Sequence, residues 1–274
     1  MRYIEVNLSF NTPSRWNDIF IAFLSDLGYD SFHETDDGLR AYIKSDNFSV
    51  EQIDDILKNI QTDVSYSYKL LENINWNAKW ESDFKPVIID KSCGIRASFH
   101  NPLDVEYEIV ITPKMSFGTG HHATTSGMMR AMMNINFCNK NVLDMGCGTS
   151  VLAILASKLG ANHVTAIDID EWAFTNSKEN LLLNQIKNVD VKQGASNLIS
   201  GTYDVILANI NRNVLIEDMF VYSKALSEDG ILLLSGFYTY DLDIINQKAN
   251  ENMLKLESHA SRDNWVTAKF LKRI

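Results

Sequence analysis

Membrane-length apolar runs are absent from this 274-residue sequence, and cysteine and proline are scarce. No apolar run approaches the roughly 18 residues that cross a bilayer as a helix. The N-terminal segment, MRYIEVNLSF, alternates apolar and polar side chains and lacks the apolar segment of a signal peptide. We therefore expect a cytoplasmic protein that has no membrane partner.

The three cysteines, Cys93, Cys138 and Cys147, are odd in number and widely separated, and no CxxC pair occurs. This spacing argues against a disulfide framework and against a cysteine-ligated zinc site. We expect the thiols to be reduced.

Basic residues are fewer than acidic ones. The sequence has 25 Lys and Arg residues and 35 Asp and Glu residues, which gives a net charge of −10. An acidic chain has no general attraction to nucleic acid phosphates, so no direct nucleic acid partner is expected. Solubility explains the excess of negative charge, which would also attract a basic protein.

Apolar periodicity divides the chain into two domains and a linker. Residues 1–72 follow the order strand, helix, strand, strand, helix, strand, with a DDG turn between the second and third strands. That order is typical of ferredoxin-like α+β domains, which host many functions. Residues 73–85 are predicted to form a linker helix in which Trp76 and Trp80, four residues apart, share one face as packing anchors.

Residues 86–274 are predicted to form an α/β domain. After short strands in KPVIID, GIRASF and YEIVITP, apolar runs separated by helical segments occur in NVLDMG, HVTAIDID, VDVKQG, YDVILANI and GILLLSGF. LKLESHA and WVTAKFLKRI resemble a closing antiparallel hairpin. Continuous apolar strands are typical of a parallel sheet covered on both faces, which indicates a doubly wound, Rossmann-like sheet. Its ligand should lie at the carboxyl ends of the strands.

A glycine turn, VLDMGCGTS, follows the first strand of that sheet. Gly146 and Gly148 allow the backbone to turn sharply and to approach a ligand closely. Val151 stands where a dinucleotide fingerprint would have its third glycine, and the GKS or GKT of a Walker loop is missing. Asp168, at the end of the second strand, can accept hydrogen bonds from both hydroxyls of a ribose, which indicates an adenosine-type ligand. An ordinary strand-end aspartate is the alternative, and Asp170 is expected to point elsewhere or to cap the next helix.

Asn209 ends the fourth strand, in LANINRN, and so is expected beside the loop of the first strand. Amide-directed methyltransferases that resemble this architecture carry Asn-Pro-Pro-aromatic at this point, whereas Ile210 and Asn211 follow Asn209 here. The missing aromatic side chain would stack on a base or a planar amide. A planar acceptor is therefore disfavoured.

The stretch MSFGTGHHATT, residues 115–125, raises the question of a phosphate loop, a metal site or a lid. Thr124 and Thr125 suit both the capping of a helix N-terminus and direct contact with a ligand. The side chains of the adjacent His121 and His122 diverge, and no further ligand cluster has the required spacing. We therefore expect no metal site.

Together, FGTGHHATT, VLDMGCG, AIDID, LANI and NWNAKWESDFKPV resemble the bacterial ribosomal protein L11 methyltransferase family, known as PrmA, over nearly the whole chain. The resemblance implies S-adenosylmethionine as methyl donor, a seven-stranded catalytic domain and an N-terminal domain that grips the substrate protein. It implies that Thr125, Gly146, Asp168 and Asn209 contact the cofactor and that Asn209 faces the reacting centre as the catalytic residue. It also makes FGTGHHATT a lid and helix start over the methionine end of the cofactor.

Two features depart from the family pattern. Ser150 stands where a third glycine is usual, and INRN after Asn209 replaces a run of small residues. The expected function is methylation of amino groups of ribosomal protein L11, on lysine side chains, the N-terminal amine or both, by a monomer. No general base is assigned, and His121 and His122 are not given that role.

Three alternatives stay open. A small-molecule or nucleic acid methyltransferase could use the same cofactor domain, although the acidic charge weighs against nucleic acid. Val151 weighs against an oxidoreductase with the same sheet. Ser150 gives slight support to a binding module without catalysis.

Overall fold

The computed structural model describes residues 3–10, 13–35, 37–59, 64–71, 84–113 and 118–273. The chain divides into two compact units, residues 1–80 and 81–274, and each has hydrophobic clusters of its own. The expected linker helix at 73–85, with Trp76 and Trp80, falls almost entirely outside the described residues.

The first unit has the ferredoxin-like topology that its strand and helix order predicts. Its elements are β1 Tyr3–Phe10, α1 Pro13–Asp26, β2 Ser31–Thr35, β3 Gly38–Lys44, α2 Val50–Asn59 and β4 Val64–Leu71. The strands form an antiparallel sheet in the order β2-β3-β1-β4. Alternate residues of β1, Val6 and Leu8 among them, point into a core that also contains Phe20 and Leu24 of α1 and Ile53 of α2.

The second unit begins with a small sheet. Its strands are β5 Val87–Ile89, β6 Cys93–Ala97 and β7 Tyr107–Ile111. β6 lies in the middle, antiparallel to β5 and parallel to β7.

The large sheet of the second unit has the seven strands that the family resemblance implies. The helices and strands are α3 Ala123–Met132, β8 Asn141–Met145, α4 Val151–Lys158, β9 His163–Asp168, α5 Glu171–Leu183, β10 Val189–Gln193, β11 Tyr203–Asn209, α6 Arg212–Ala225, β12 Leu226–Tyr238, α7 Leu242–Glu251, β13 Leu254–Arg262 and β14 Trp265–Lys272. The strand order is β10-β9-β8-β11-β12-β14-β13. β14 pairs antiparallel with β12 and with β13, and the other neighbouring strands pair in parallel.

Burial on both faces explains why the central strands are apolar without interruption. Val142 belongs to the hydrophobic cluster on one face of the sheet and Leu143 to the cluster on the other, and Ile206 and Leu207 divide in the same way. The chain order reverses between β8 and β11, so the loops after β8, β9 and β11 meet at one edge. This switch point is where an open α/β sheet binds its ligand.

No helix in the described ranges is long and apolar enough to cross a membrane.

Candidate cofactor site

The glycine turn after β8 brings the backbone against the end of β11. Gly146 has a φ of +70° and Gly148 one of +54°, in the left-handed region that favours glycine. A Cβ atom at Gly146 would overlap Cγ2 of Ile210, which directly follows Asn209. Glycine is therefore needed at position 146 for the turn to lie next to Asn209.

Asp168 closes the glycine turn from the side of β9. Its Oδ2 accepts a hydrogen bond from Gly148 N–H at 2.8 Å, and its Oδ1 accepts one from Asp170 N–H at 3.0 Å. The carboxylate is partly exposed and keeps further acceptor capacity on both oxygens. Such a carboxylate is suited to accept hydrogen bonds from the hydroxyl groups of a ribose.

Asp170 serves the neighbouring helix, as predicted. Its side chain caps α5 by accepting hydrogen bonds from the N–H groups of Trp172 and Ala173, at 2.7 and 3.4 Å. A cap of this kind satisfies donors that the helix leaves unpaired. Of the two acidic residues, Asp168 is thus the one that faces the glycine turn.

Thr125 and Asn209 meet at the centre of the site. Asn209 ends β11, and its Nδ2 donates a hydrogen bond to Oγ1 of the buried Thr125, in the first turn of α3, at 3.3 Å. The other amide atom, Oδ1 of Asn209, is buried and has no hydrogen-bond partner within the described residues. The cleft here is lined by Gly118, Thr125, Gly146, Cys147, Thr149, Val151, Leu152 and Asn209.

The capping interpretation of Thr124 and Thr125 is wrong. The N-cap of α3 is His122, whose Nδ1 accepts a hydrogen bond from Thr124 N–H at 3.3 Å. The helix therefore begins earlier than a threonine cap would allow. Both threonines lie inside its first turn, where the side chain of Thr125 is free to meet Asn209.

The two histidines pack in different surroundings. The His121 ring makes an edge contact with Phe84, and partial burial lowers the pKa of His121. The His122 ring makes an edge contact with Trp265. In the part of the chain that the structure describes, no three His, Cys, Asp or Glu side chains come together as metal ligands.

Ser150 occupies a left-handed conformation, with φ +59° and ψ +23°, at the start of α4. Glycine adopts this left-handed conformation without the steric cost that a side chain adds. The hydroxyl of Ser150 donates to Oγ of Ser177 at 2.8 Å, and Ser177 donates to the carbonyl of Gly148 at 2.8 Å. The serine thus preserves the turn and adds a buried hydrogen-bonded link to α5.

Asp144 is a buried acid beneath the turn that the sequence interpretation missed. Its Oδ2 accepts a hydrogen bond from Ala153 N–H at 3.0 Å, while its Oδ1 has no partner among the described residues. Burial, assisted by the charge of Asp168, raises the pKa of Asp144 to about 7. A charged residue inside the apolar strand β8 was the available signal.

The site does not coincide with a larger cavity elsewhere in the second unit. That cavity, of about 550 Å³, lies between α3 and the β13–β14 hairpin and contains none of the expected site residues. The smaller cleft is the candidate cofactor site, because Thr125, Gly146 and Asn209 line it at the switch point and Asp168 holds the glycine turn beside it.

The residues at the cleft fit an adenosine-type cofactor. The glycine turn leaves backbone without side chains beside the cleft, and Asp168 offers carboxylate acceptors at its side. Oδ1 of Asn209 is a buried acceptor with spare capacity. Ile169, next to Asp168, is 75% exposed and offers an apolar surface suited to a base.

The family described as Ribosomal protein L11 methyltransferase (PrmA) matches residues 23–273 of this chain. A protein named ribosomal protein L11 methyltransferase from Phocaeicola vulgatus is 41% identical over 281 residues, which cover 100% of both chains. One of the same name from Porphyromonas gingivalis is 43% identical over 260 residues, covering 92% of this chain and 90% of its own. The crystal structure of the ribosomal protein L11 methylase from Lactobacillus delbrueckii subsp. bulgaricus superposes with a TM-score of 0.65 at 26% identity, covering 70% of this chain and 100% of that chain.

Proposed function

This chain belongs to the ribosomal protein L11 methyltransferase family, and from that premise we propose that it methylates amino groups of ribosomal protein L11. The targets are lysine side chains, the N-terminal amine or both. The chain is an S-adenosylmethionine-dependent methyltransferase, which removes the oxidoreductase and the non-catalytic binding module from consideration. The observation that carries the proposal is the Thr125–Asn209 pair beside the glycine turn.

We propose that Gly146, Asp168, Thr125 and Asn209 hold the cofactor. Asp168 would accept hydrogen bonds from the ribose, and the exposed side chain of Ile169 would cover the adenine. When bound, S-adenosylmethionine supplies a methyl group that is already activated on a positively charged sulfur. The protein therefore has mainly to orient the acceptor and to exclude water.

The role of Asn209 in the reaction follows from its amide. Because Nδ2 is held by Thr125, Oδ1 has a fixed direction and a free lone pair, which supports its acceptance of a hydrogen bond from the substrate amine. The amine must be neutral to act as a nucleophile. At pH 7 a lysine amine, with an ordinary pKa of about 10.4, costs about 4.6 kcal/mol to deprotonate, whereas an α-amine with a pKa near 8 costs about 1.4 kcal/mol. A desolvated amine near a positive charge loses its proton more readily.

A cluster of aromatic rings near this edge of the sheet is suited to bind the substrate amine that accepts the methyl group. The ring of Trp265 lies 4.0 Å from that of Tyr238 and 4.8 Å from that of His122, between centroids, and Tyr240 stacks on Tyr238 at 5.2 Å. Tyr238 ends β12, which pairs with β11 through Asn209 and Ser235. Aromatic faces attract methylated ammonium groups, which supports retention of a partly methylated amine for further transfer.

Selection of the substrate protein needs more surface than an amine pocket offers. Standard protein interfaces bury about 1,600 Å² in total. We assign that contact to the ferredoxin-like unit, and the net charge of −10 would favour a basic substrate. The proposal includes a cytoplasmic monomer that binds neither nucleic acid nor membrane.

The test is methyl transfer from labelled S-adenosylmethionine to purified ribosomal protein L11, with the labelled residues identified by mass spectrometry. We expect label on amino groups of that protein, and a loss of at least about tenfold in rate for Asn209→Ala. Asn211→Ala, which removes the α6 cap two residues away, is the matched control and should keep its activity at a temperature where it is folded. Label on RNA or on a small molecule, with none on the ribosomal protein, would contradict the proposal.

A further inference from the structure

Helix α5 carries a buried polar face although helices usually bury apolar side chains. Asn176, Ser177 and Asn180 are at most 1% exposed, and Asn184 continues the same face. Buried amides are costly unless they are hydrogen-bonded. Their partners here are the backbones of two separate segments, strand β7 and the glycine turn.

The asparagines pair with the free edge of β7 as a neighbouring strand would. Asn184 accepts a hydrogen bond from Val110 N–H at 2.9 Å and donates to the Val110 carbonyl at 2.6 Å. Oδ1 of Asn180 accepts from Thr112 N–H at 2.8 Å. Together these amides fix the end of β7, just before the segment that leads to Gly118.

Asn180 also reaches the glycine turn. Its Nδ2 donates to the carbonyl of Thr149 at 3.0 Å. The hydroxyl of Thr149 in turn donates to the carbonyl of Gly118 at 2.7 Å. Thr149 is therefore linked to Thr112 through the side chain of Asn180, and to Gly118 by a direct hydrogen bond. Thr112 precedes residues 113–117 and Gly118 follows them, so this one residue of the turn is connected to the chain on both sides of that segment.

Close packing makes this link sensitive to small displacements. A Cβ atom at Gly118 would lie 2.8 Å from Oγ1 of Thr149. Gly148, the residue before Thr149, donates the hydrogen bond that holds Oδ2 of Asp168. Movement of Thr149 would thus change both the turn and the carboxylate beside it.

We propose that Asn180 and Thr149 are positioning residues for the cofactor site, which fix the glycine turn between the end of β7 and Gly118. The inference rests on the proposed function, because it assigns the cofactor to this turn. Asn180 reaches the glycine turn through the backbone of Thr149. Binding sites lose affinity when their supporting contacts are loosened by fractions of an ångström.

The test compares two asparagines of the same helix in the full-length protein. Asn180→Ala removes the link to Thr149, whereas Asn184→Ala removes contacts to β7 but none to the turn. Both variants should melt at a lower temperature. Calorimetric titration with S-adenosylhomocysteine, at a temperature where both are folded, should show about tenfold weaker binding for Asn180→Ala and a wild-type Kd for Asn184→Ala.

A second pair of variants tests the link from the other side. Thr149→Val keeps the shape of the side chain but removes its hydroxyl, and should weaken binding of S-adenosylhomocysteine by about tenfold. Thr149→Ser keeps the hydroxyl and should retain most of the affinity. If Asn180→Ala does not fold, the comparison of Thr149→Val with Thr149→Ser tests the inference by itself.

A wild-type Kd in Thr149→Val or in folded Asn180→Ala would overturn the inference. Equal weakening by Asn184→Ala would also overturn it, because the effect would then be general destabilisation. Failure of the unmodified protein to bind S-adenosylhomocysteine would instead contradict the proposed function.

Discussion

Asn209 donates a hydrogen bond from Nδ2 to Oγ1 of Thr125 over 3.3 Å, although 84 residues separate them along the chain. The contact joins the end of β11 to the first turn of α3 and fixes the direction of the Asn209 amide. It places both residues in the cleft that also contains Gly146. The first prediction concerns this pair.

Thr125→Val should lower the rate of methyl transfer by about tenfold, because the isosteric side chain has no oxygen to accept the hydrogen bond from Nδ2 of Asn209. Steady-state kinetics at a permissive temperature measure the effect. Thr124→Val is the matched control: Thr124 is also buried in the first turn, but its hydroxyl pairs with Nδ1 of His122 at 2.8 Å. Equal losses in the two variants would mean that Thr125 acts only through helix stability.

Asp168→Ala should weaken S-adenosylmethionine binding by about tenfold or more, because hydrogen bonds to a charged acceptor contribute about 1.5–3 kcal/mol. Calorimetric titration measures the change in Kd. Asp170→Ala serves as control, since it removes the cap of α5 but keeps the backbone N–H that donates to Asp168. An unchanged Kd in Asp168→Ala would remove that residue from the site.

Ser150→Gly should be more stable than Ser150→Ala by about 1 kcal/mol, because a non-glycine residue in the left-handed region costs about 1–2 kcal/mol. Both variants lose the same hydrogen bond to Ser177, so their difference isolates the backbone. Urea unfolding at one pH measures it. Equal stabilities would show that the turn relaxes away from the left-handed conformation in Ser150→Ala.

Asp144→Asn should change how the stability of the protein depends on pH. Burial raises the pKa of Asp144 from 3.8 to about 7, so between these values the unfolded chain releases a proton that the folded chain keeps. The native protein should therefore lose up to about 1.4 kcal/mol of stability per pH unit as the pH rises from about 4 to about 7, and no more above that.

The asparagine variant keeps an acceptor for Ala153 N–H but has no proton to release. Its free energy of unfolding, relative to the unmodified protein, should rise between pH 4 and 7 and then level off. Urea unfolding at several pH values measures this difference. Parallel curves over the whole range would show that Asp144 has an ordinary pKa in the folded protein.

A chain that starts at Glu81 should still bind S-adenosylmethionine but methylate ribosomal protein L11 poorly. All four proposed cofactor residues lie in residues 81–274, which contain two hydrophobic clusters of their own. Calorimetry measures the binding, and initial rates with the ribosomal protein measure the transfer. If the shortened chain worked as fast as the full one, substrate selection would have to lie in the catalytic unit.

Local patterns allowed much of the fold to be predicted. Alternation in β1 and the unbroken apolar runs of β8 and β11 depend only on which face of a strand is buried, so they can be seen along the chain. The glycine turn, Asp168 and the capping Asp170 could be located in the same way, because each lies at the end of a strand or just after it. The start of α3 could not, because His122 is an uncommon cap and the threonines after it are common ones.

The sequence by itself determined the order of elements, the doubly wound sheet, the glycine turn and the acid after the second strand, since each depends on residues that are neighbours in the chain. Only the tertiary structure decided which distant side chains meet: Thr125 with Asn209, Ser150 with Ser177, and Asn180 with both Thr112 and Thr149. These contacts depend on strand register and on the rotation of α3 and α5 about their axes. Hydrogen bonds form only over a narrow range of distance and angle, so a shift of one residue in register would remove them without changing the apolar pattern.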